Sequence, residues 1–263
     1  MWAGPRRGTT EGMNAPAERR PATGGAPDTV DIGRIDEPGP ARARRFGTRA
    51  VLAGSATVLA AVPLTVLTAL VLSGSETLQS FDRGIADDLH GYVVDRPELA
   101  SALGVVSEVT HPTVMRVVSV VIGVWLWRVG RRRQAGWFLT AMVVGSVLSP
   151  LLKEVIGRSR PSFPDPVALA PGYSFPSGHA LQSMLFAASV VVLTSSIAHG
   201  RPGLRAAALA GAVGLVLLTG FDRVALGVHY TSDVVAGWVV ALATLLTTLA
   251  IFHAPASAGP ERN

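Results

Sequence analysis

Long apolar runs alternate with short polar segments along most of the chain. The runs cover about residues 50–72, 112–127, 135–152, 177–198, 204–221 and 232–252. Runs of about 17–25 residues are typical of helices that cross a membrane, and the second run reaches that length if it begins near Leu99. The pattern therefore predicts an all-α protein, built as a bundle of six transmembrane helices.

The segment between the first two runs, residues 73–98, is polar and mostly acidic. Its apolar residues recur at helical spacing, at Leu78, Phe81, Ile85 and Leu89. Because this spacing places them on one helix face, the segment is predicted to be a short amphipathic helix that lies on the membrane surface.

Both ends of the chain differ from this pattern. Residues 1–45 are rich in Pro, Gly, Ala and Arg and are predicted to be a disordered tail, as are residues 255–263, which leaves 46–254 as the transmembrane domain. Translation could begin at Met1 or at Met13. Arginines precede the first apolar run as in a signal peptide, but the run exceeds the usual apolar core of about 7–15 residues and predicts an uncleaved span.

Composition supports the membrane assignment, since 49% of the 263 residues are apolar and only 16% are charged. The mean hydropathy of +0.40 is too high for a soluble domain. The net charge of +5 does not predict nucleic-acid binding, because the arginines lack interleaved aromatic residues. The chain has no cysteine, which excludes disulfides, thiolate metal sites and a thiol nucleophile.

The arginines also predict the orientation of the bundle. Short loops at 128–133 and 199–205 carry arginine without acidic residues, whereas the 73–98 segment on the opposite side is acidic. By the positive-inside rule, both termini are expected in the cytoplasm. The polar ends of spans three to six would then face the extracytoplasmic side.

Three polar blocks, residues 153–161, 176–179 and 223–233, lie at these ends. Lys153 is the only lysine among 23 basic residues. Arg160 follows seven residues later, so both side chains would share one helix face if the helix continued that far. An ammonium and a planar guanidinium both suit phosphate oxygens, so the first block predicts an anion site.

The second and third blocks add the groups that catalysis would need. Ser177 stands at a predicted helix N-terminus with Gly178 next, so the hydroxyl and the free amides of the first turn could bind an anion. His179 lies in the same turn, placed to protonate a leaving oxygen. His229 and Asp233 are four residues apart, so the carboxylate could orient the imidazole for nucleophilic attack.

In order and spacing, the blocks resemble the three motifs of the phosphatidic acid phosphatase type 2 (PAP2) superfamily, which also includes the vanadium haloperoxidases. The first motif, Lys, six residues, Arg-Pro, matches Lys153 to Pro161, and Pro-Ser-Gly-His matches Pro176 to His179. The third, Ser-Arg, five residues, His, three residues, Asp, matches Arg223, His229 and Asp233, with Asp222 in place of the usual serine. Three ordered motifs are far more specific than any one alone.

The resemblance implies an integral membrane phosphatase that hydrolyses a lipid phosphate or diphosphate through a phosphohistidine, without a metal or other cofactor. His229 would be the nucleophile, His179 the general acid and Asp233 the orienting carboxylate. The phosphate ligands would be Lys153, Arg160, Ser177, Gly178 and Arg223. Undecaprenyl diphosphate, phosphatidic acid and phosphatidylglycerol phosphate all fit this substrate class.

Other classes stay open on the residues alone. A membrane transporter could use the cations to bind a passing anion, although the chain lacks the paired, interrupted spans of inverted repeats. A non-catalytic lipid-phosphate-binding protein would need the same cations. A haloperoxidase would bind vanadate in the same pocket, but those relatives are soluble. Taken singly, Lys153 or Arg223 would be interpreted as a side chain that reaches to the membrane interface.

Overall fold

The computed structural model describes residues 61–253, and this part of the chain is helical throughout apart from its connecting loops. Its eight helices are α1 (Ala61–Leu72), α2 (Glu76–Val94), α3 (Pro97–Val109), α4 (Pro112–Arg128), α5 (Arg132–Ile156), α6 (Gly178–Ile197), α7 (Pro202–Ala225) and α8 (Thr231–His253). The all-α prediction is therefore confirmed for the described residues. The tails predicted at 1–45 and 255–263, and the start of the first predicted span, lie outside them.

Four of these helices, α5 to α8, are each long and apolar enough to cross a membrane. Two further pairs pass the same test only when each is joined, α1 with α2 at a bend of 92° and α3 with α4 at a bend of 40°. The described residues thus hold four to six candidate spans, in agreement with the predicted bundle. The second predicted span corresponds to α3 and α4 together. It therefore begins near Leu99, the earlier of the two predicted starts, and not at residue 112.

Local sequence sets the helix ends near the first two motifs. α5 stops at Ile156 because Gly157 takes a left-handed conformation, with φ of +66°, and donates its N–H to the carbonyl of Lys153. α6 begins after Ser177, whose side chain accepts from the amide of Ala180 and caps the helix. The chain between Gly157 and Ser177 is therefore an irregular loop, and it carries the second half of the first motif.

The central helix is α6, which packs against α5, α7 and α8. Its buried side chains meet those of α5 and α8 in an apolar core that includes Phe138, Leu181, Leu185 and Leu245. α5 approaches α6 closely at Gly145, where a Cβ atom would lie 2.5 Å from the Leu185 side chain. Close approach at small residues is typical of helix packing within membranes. This core holds the motif-bearing ends of α5, α6 and α8 next to one another.

Helix α2 forms where the amphipathic helix was predicted, but it buries a different face. Its buried residues are Asp82, Ala86, His90 and Val93. Phe81, on the predicted apolar face, is 55% exposed, while Ile85 and Leu89 pack at the edge of the core. The face that α2 buries thus includes a carboxylate, Asp82, which the apolar pattern did not indicate. The location of α2 on the membrane surface stays a prediction.

Candidate active site

Lys153 lies in the last turn of α5, and the following loop folds back over it. Its Nζ donates to the carbonyl oxygens of Tyr173 at 2.5 Å and of Ser174 at 3.3 Å. The loop is closed at its base, where the amide and the hydroxyl of Ser174 both donate to the carbonyl of Arg158. Main-chain oxygens, which carry no net charge, therefore hold the ammonium of Lys153 in place.

Arg160 lies in this loop, so the expectation that it shares a helix face with Lys153 is wrong, because α5 ends at Ile156. Its guanidinium donates to four main-chain carbonyls, those of Pro171 at 3.1 Å, Gly172 at 3.0 Å, Tyr173 at 3.1 Å and Val228 at 2.6 Å. The Tyr173 carbonyl accepts from both cations, and the two side chains therefore still meet. Their acceptors are neutral, so both positive charges remain available to an anion.

His229 lies in the short connection between α7 and α8, buried beside Arg160. Arg160 Nη1 lies 3.2 Å from His229 Nε2. A guanidinium can only donate, so Nε2 is the unprotonated ring nitrogen and Nδ1 carries the proton. Nδ1 lies 3.4 Å from Asp233 Oδ2, within ion-pair distance but without the alignment of a hydrogen bond. The spacing of four residues thus does bring His229 and Asp233 together.

The surroundings of His229 keep its imidazole neutral. Burial is the main cause that lowers the pKa of His229, from 6.5 to about 4; the Asp233 carboxylate opposes this shift, and the charges of Lys153 and Arg160 add to it. At pH 7 the ring is therefore neutral, and the lone pair on Nε2 accepts from Arg160 Nη1. A neutral imidazole with this tautomer is the form that can act as a nucleophile.

Asp233 lies in the first turn of α8 and is fully buried. Its Oδ2 accepts from the amide of Tyr230 at 2.9 Å, and its Oδ1 accepts from Arg158 Nη1 at 2.6 Å. The Asp233 carboxylate therefore has fixed hydrogen-bond donors besides the imidazole, which set its orientation toward His229.

The first turn of α6 provides the second motif. Ser177 is fully buried, and its backbone N–H donates to the carbonyl of Asp233 at 2.9 Å. Its hydroxyl oxygen accepts from the amide of Ala180 at 3.4 Å, as a helix cap does. Two residues on, His179 has a buried Nε2 with no hydrogen-bond partner among the described residues. The ring of His179 meets the edge of His111, with centroids 5.4 Å apart.

Arg223 is buried in the last turn of α7 and paired with its neighbour Asp222. Asp222 Oδ2 accepts from Arg223 Nε at 2.8 Å and from Nη2 at 2.5 Å, and the same Nη2 donates to the hydroxyl of Ser107 on α3. The Arg223 carbonyl accepts from the amide of His229 at 3.2 Å. The aspartate that replaces the usual serine is thus in direct contact with the predicted phosphate-binding arginine.

A cavity of about 330 Å³ joins the key groups. Of the eight predicted site residues, its walls include Lys153, Arg160, Gly178, His179 and His229. Ser177, Arg223 and Asp233 do not line it. The cavity therefore brings His179 and His229 together with two of the predicted phosphate-binding cations, Lys153 and Arg160.

Sequence reasoning missed several residues at this site. Arg116 and Gln182 line the cavity, and Asp82 lies behind Asp233, to which Arg158 connects it. One signal was present in the sequence: Asp82, Ala86 and His90 recur every four residues, which is the spacing of a helix face. The apolar residues of α2 have a helical spacing of their own, and the amphipathic helix was predicted from that spacing.

Among the described residues, no group of three or more His, Asp or Glu side chains could hold a metal ion. The charged groups that surround the cavity are cations, which would repel a divalent ion. This arrangement suits an anionic ligand.

Comparison with known proteins agrees with the motifs. Residues 134–256 match the family model of the PAP2 superfamily, which confirms the resemblance. The matched region begins in α5 and covers α6 to α8, so it contains all three motif blocks.

A relative and a solved structure extend this finding. The chain is 36% identical over 110 residues to the lipid A 1-phosphatase of Rhizobium etli; the match covers 38% of this chain and 43% of that protein, so the chain spans less than half the length of this relative. The fold is similar to the crystal structure of a transmembrane PAP2 type phosphatidylglycerolphosphate phosphatase from Bacillus subtilis, with a TM-score of 0.63 and 24% identity. That match covers 73% of this chain and 93% of the other.

Proposed function

From the PAP2 superfamily match we propose that this chain is a membrane-embedded phosphatase, which hydrolyses a phosphate or diphosphate group of a lipid. The observation that carries the proposal is the environment of His229 Nε2. This unprotonated nitrogen lies 3.2 Å from Arg160 Nη1, in a cavity that His179 and Lys153 also line. The proposed nucleophile, acid and phosphate-binding cations thus line one cavity.

Substrate binding would use the two cationic side chains that now donate to main-chain carbonyls. Lys153 and Arg160 would bind the phosphoryl oxygens and neutralise the charge that develops in the transition state. Gly178, at the start of α6, would add an amide N–H group from the helix N-terminus. Ser177 and Arg223 are the remaining proposed ligands, and both need a small shift from their present partners to reach the cavity.

The first chemical step is attack of His229 Nε2 on phosphorus, in line with the leaving oxygen. The N–P bond forms as the P–O bond breaks, and protonated His179 donates its proton to the leaving alcohol or phosphate. The product is a phosphohistidine with a cationic ring. Asp233 would stabilise this ring through Nδ1–H, as the carboxylate of a catalytic triad does.

The second step releases phosphate. His179, now neutral, accepts a proton from a water molecule as the water oxygen attacks phosphorus. The N–P bond breaks, its electron pair returns to His229 Nε2, and inorganic phosphate leaves. No metal or other cofactor takes part in either step, because the cations supply the charge.

The substrate class follows from the surroundings of the cavity. A site at the ends of apolar helices favours an amphiphile, so we propose a lipid with a phosphomonoester or diphosphate head. Undecaprenyl diphosphate, phosphatidic acid and phosphatidylglycerol phosphate are the candidates, and lipid A 1-phosphate joins them through the Rhizobium etli relative. The arginine-rich loops favour an extracytoplasmic site and cytoplasmic termini.

The test is phosphate release from these lipids by purified protein in detergent, with and without a chelator. We expect at least one lipid to be hydrolysed, with activity unchanged by the chelator and lost in His229→Ala. Vanadate, a mimic of five-coordinate phosphorus, should inhibit more strongly than phosphate. Binding of the lipids without turnover would instead indicate a binding protein or transporter, and activity restored by magnesium after chelation would exclude the proposed mechanism.

A further inference from the structure

We propose that Asp82 on α2 is a positioning residue for this reaction, which acts through Arg158 and Asp233 to set the charge presented to His229. The inference rests on the proposed function, since it concerns the same nucleophile. Asp82 lies outside all three motifs and does not line the cavity. It would therefore act through other side chains, without touching the substrate.

Asp82 is fully buried and has three charged or polar donors. Its Oδ2 accepts from Arg158 Nη2 at 2.8 Å, and its Oδ1 accepts from the backbone N–H of Ser232 at 3.0 Å. The hydroxyl of Ser232 also donates to Oδ2. These contacts join α2 to the loop after α5 and to the first turn of α8, where Asp233 follows Ser232.

Arg158 connects Asp82 to the site. Its Nη1 donates to Asp233 Oδ1 at 2.6 Å while its Nη2 binds Asp82, so one guanidinium bridges two buried carboxylates. The same guanidinium lies over the ring of Tyr230, 4.4 Å from its centroid. A continuous chain of contacts therefore runs from Asp82 through Arg158 and Asp233 to His229 Nδ1.

The charges of Asp82, Arg158 and Asp233 explain why Asp233 needs a second carboxylate behind it. Arg158 alone would neutralise Asp233, which would then present little net charge to the imidazole. Asp82 returns the group to one net negative charge and also satisfies the other end of a buried guanidinium. That negative charge matters most when His229 carries the phosphoryl group, because the ring is then cationic.

The cations around His229 explain why the net negative charge behind Asp233 is necessary. Lys153 faces it from α5, Arg160 from the loop and His179 from α6, while Asp233 is its acidic neighbour on α8. Two cations, Lys153 and Arg160, and a single carboxylate therefore act on the charge of the ring. A phosphohistidine in this setting depends on negative charge supplied from behind Asp233.

The alternative role for Asp82 is purely structural, as an anchor of α2 to α8. The two roles differ in what an asparagine would do, because Asp82→Asn keeps an oxygen acceptor for Ser232 but removes the charge. If Asp82 sets the charge, its loss should lower the pKa of His229 further and move the acid limb of kcat/KM to lower pH. An anchor would lower stability without moving that limb.

The experiment compares four purified proteins on one hydrolysed lipid phosphate: wild type, Asp82→Asn, the double variant Asp82→Asn with Arg158→Gln, and Asp88→Asn. The last is a matched control, since Asp88 is an exposed carboxylate on the same helix. For each protein, kcat, KM, the acid limb of kcat/KM and the thermal unfolding midpoint are measured.

We expect Asp82→Asn to lower kcat by about 10–100-fold with little change in KM, the range seen when the hydrogen-bond partners that orient metal-binding histidines are removed. Its acid limb should move to lower pH. The double variant removes one positive and one negative charge, restores the net charge, and should return the limb toward its wild-type position. Asp88→Asn should behave as wild type.

Three outcomes overturn the inference: an unshifted acid limb in Asp82→Asn, losses that simply add in the double variant, or an equal effect of Asp88→Asn. If Asp82→Asn does not fold, Asp82→Glu replaces it. This variant keeps the charge, so its acid limb should stay at the wild-type position even if kcat falls, and a shifted limb would overturn the inference. A wild-type protein without turnover would instead contradict the proposed function, so the two failures are distinguishable.

Discussion

The backbone N–H of Ser177 donates to the backbone carbonyl of Asp233 at 2.9 Å, and this bond joins the first turn of α6 to the first turn of α8. His179 is two residues beyond Ser177, and Asp233 lies beside His229. One main-chain hydrogen bond between two motifs therefore fixes the distance between the proposed acid and the carboxylate behind the nucleophile.

Gly237 allows α6 and α8 to approach closely beside this hydrogen bond, and an added methyl group there should disturb it. A Cβ atom at Gly237 would lie 2.7 Å from the Ser177 carbonyl oxygen and 3.0 Å from the Leu181 amide, both of them main-chain atoms that cannot rotate away. Gly237→Ala should therefore push α6 from α8 and lower kcat/KM by about 10²-fold, the effect of roughly 1 Å of misplacement. Gly211→Ala on α7, where the methyl group meets open space, is the control. Activity within twofold of wild type would contradict this account.

The two histidines should respond differently to the leaving group. His179→Ala removes only the proposed proton donor, which is worth about 10²–10⁴-fold with a poor leaving group. An aryl phosphate with an acidic phenol needs no proton, so the His179→Ala variant should recover part of its rate with it. The His229→Ala variant lacks the nucleophile and should stay inactive with both substrates. Equal recovery of the two variants would show that the roles are wrongly assigned.

The pH at which activity falls on the acid side should lie well below the usual pKa of histidine. Burial lowers the pKa of His229 to about 4, so the neutral, nucleophilic ring persists as pH falls and is lost only as pH passes through about 4. An unperturbed histidine would lose it near 6.5. The measurement is kcat/KM against pH with the acidic-phenol substrate, corrected for the second ionisation of phosphate near pH 6. A limb that remains near 6.5 after this correction would contradict the described burial of His229.

Asp222 should weaken anion binding, because it takes two N–H groups of Arg223. Asp222→Ser introduces the residue that is usual at this position in the PAP2 pattern and releases the guanidinium. A gain of one charge-assisted hydrogen bond, about 1.5 kcal/mol, would strengthen vanadate inhibition by roughly tenfold. Asp87→Ser, an exposed change on α2, should leave inhibition unchanged. Weaker inhibition in Asp222→Ser would show that the pair positions Arg223 and does not compete for it.

The orientation can be tested because the chain has no cysteine of its own. Single cysteines at Ser162, in the loop after α5, and at His199, between α6 and α7, should label oppositely with an impermeant thiol reagent on intact cells. Both positions are exposed, and His199 is preferred to Gly200, whose φ of +76° strains a side chain. We expect labelling at Ser162 only. Labelling at His199 only would place the proposed active site on the cytoplasmic side.

The sequence predicted contacts between site residues well where the spacing of side chains along a helix determines them. The four-residue spacing of His229 and Asp233 and the cap at Ser177 are both present in the structure. Arg160 shows the limit of this reasoning. Its partners are main-chain carbonyls, which every residue has, so no residue type in the sequence marks them. The glycine that ends α5, Gly157, was the available signal for the break.

Asp82 was missed for a different physical reason. Helical periodicity identifies the face of an isolated helix that is apolar, whereas the burial of a carboxylate depends on the partners that the tertiary fold supplies. Those partners are Arg158 and Ser232, which are 76 and 150 residues away along the chain. The spacing within α2 can therefore place Asp82 on a helix face, but it cannot identify the partners that other segments supply.

The main-chain carbonyls that hold Lys153 and Arg160 constrain chain length more than residue identity. The oxygens of residues 171, 173 and 174 would be offered by any amino acid, so substitutions at 171 and 173 should be tolerated if the backbone path is kept. Gly172, whose φ is +69°, and Ser174, whose hydroxyl closes the base of the loop, are the exceptions. One inserted residue, in contrast, would displace these oxygens by about 3.3 Å and leave both cations without their acceptors. Variation among natural or engineered forms of this loop should therefore conserve the number of residues while their types drift.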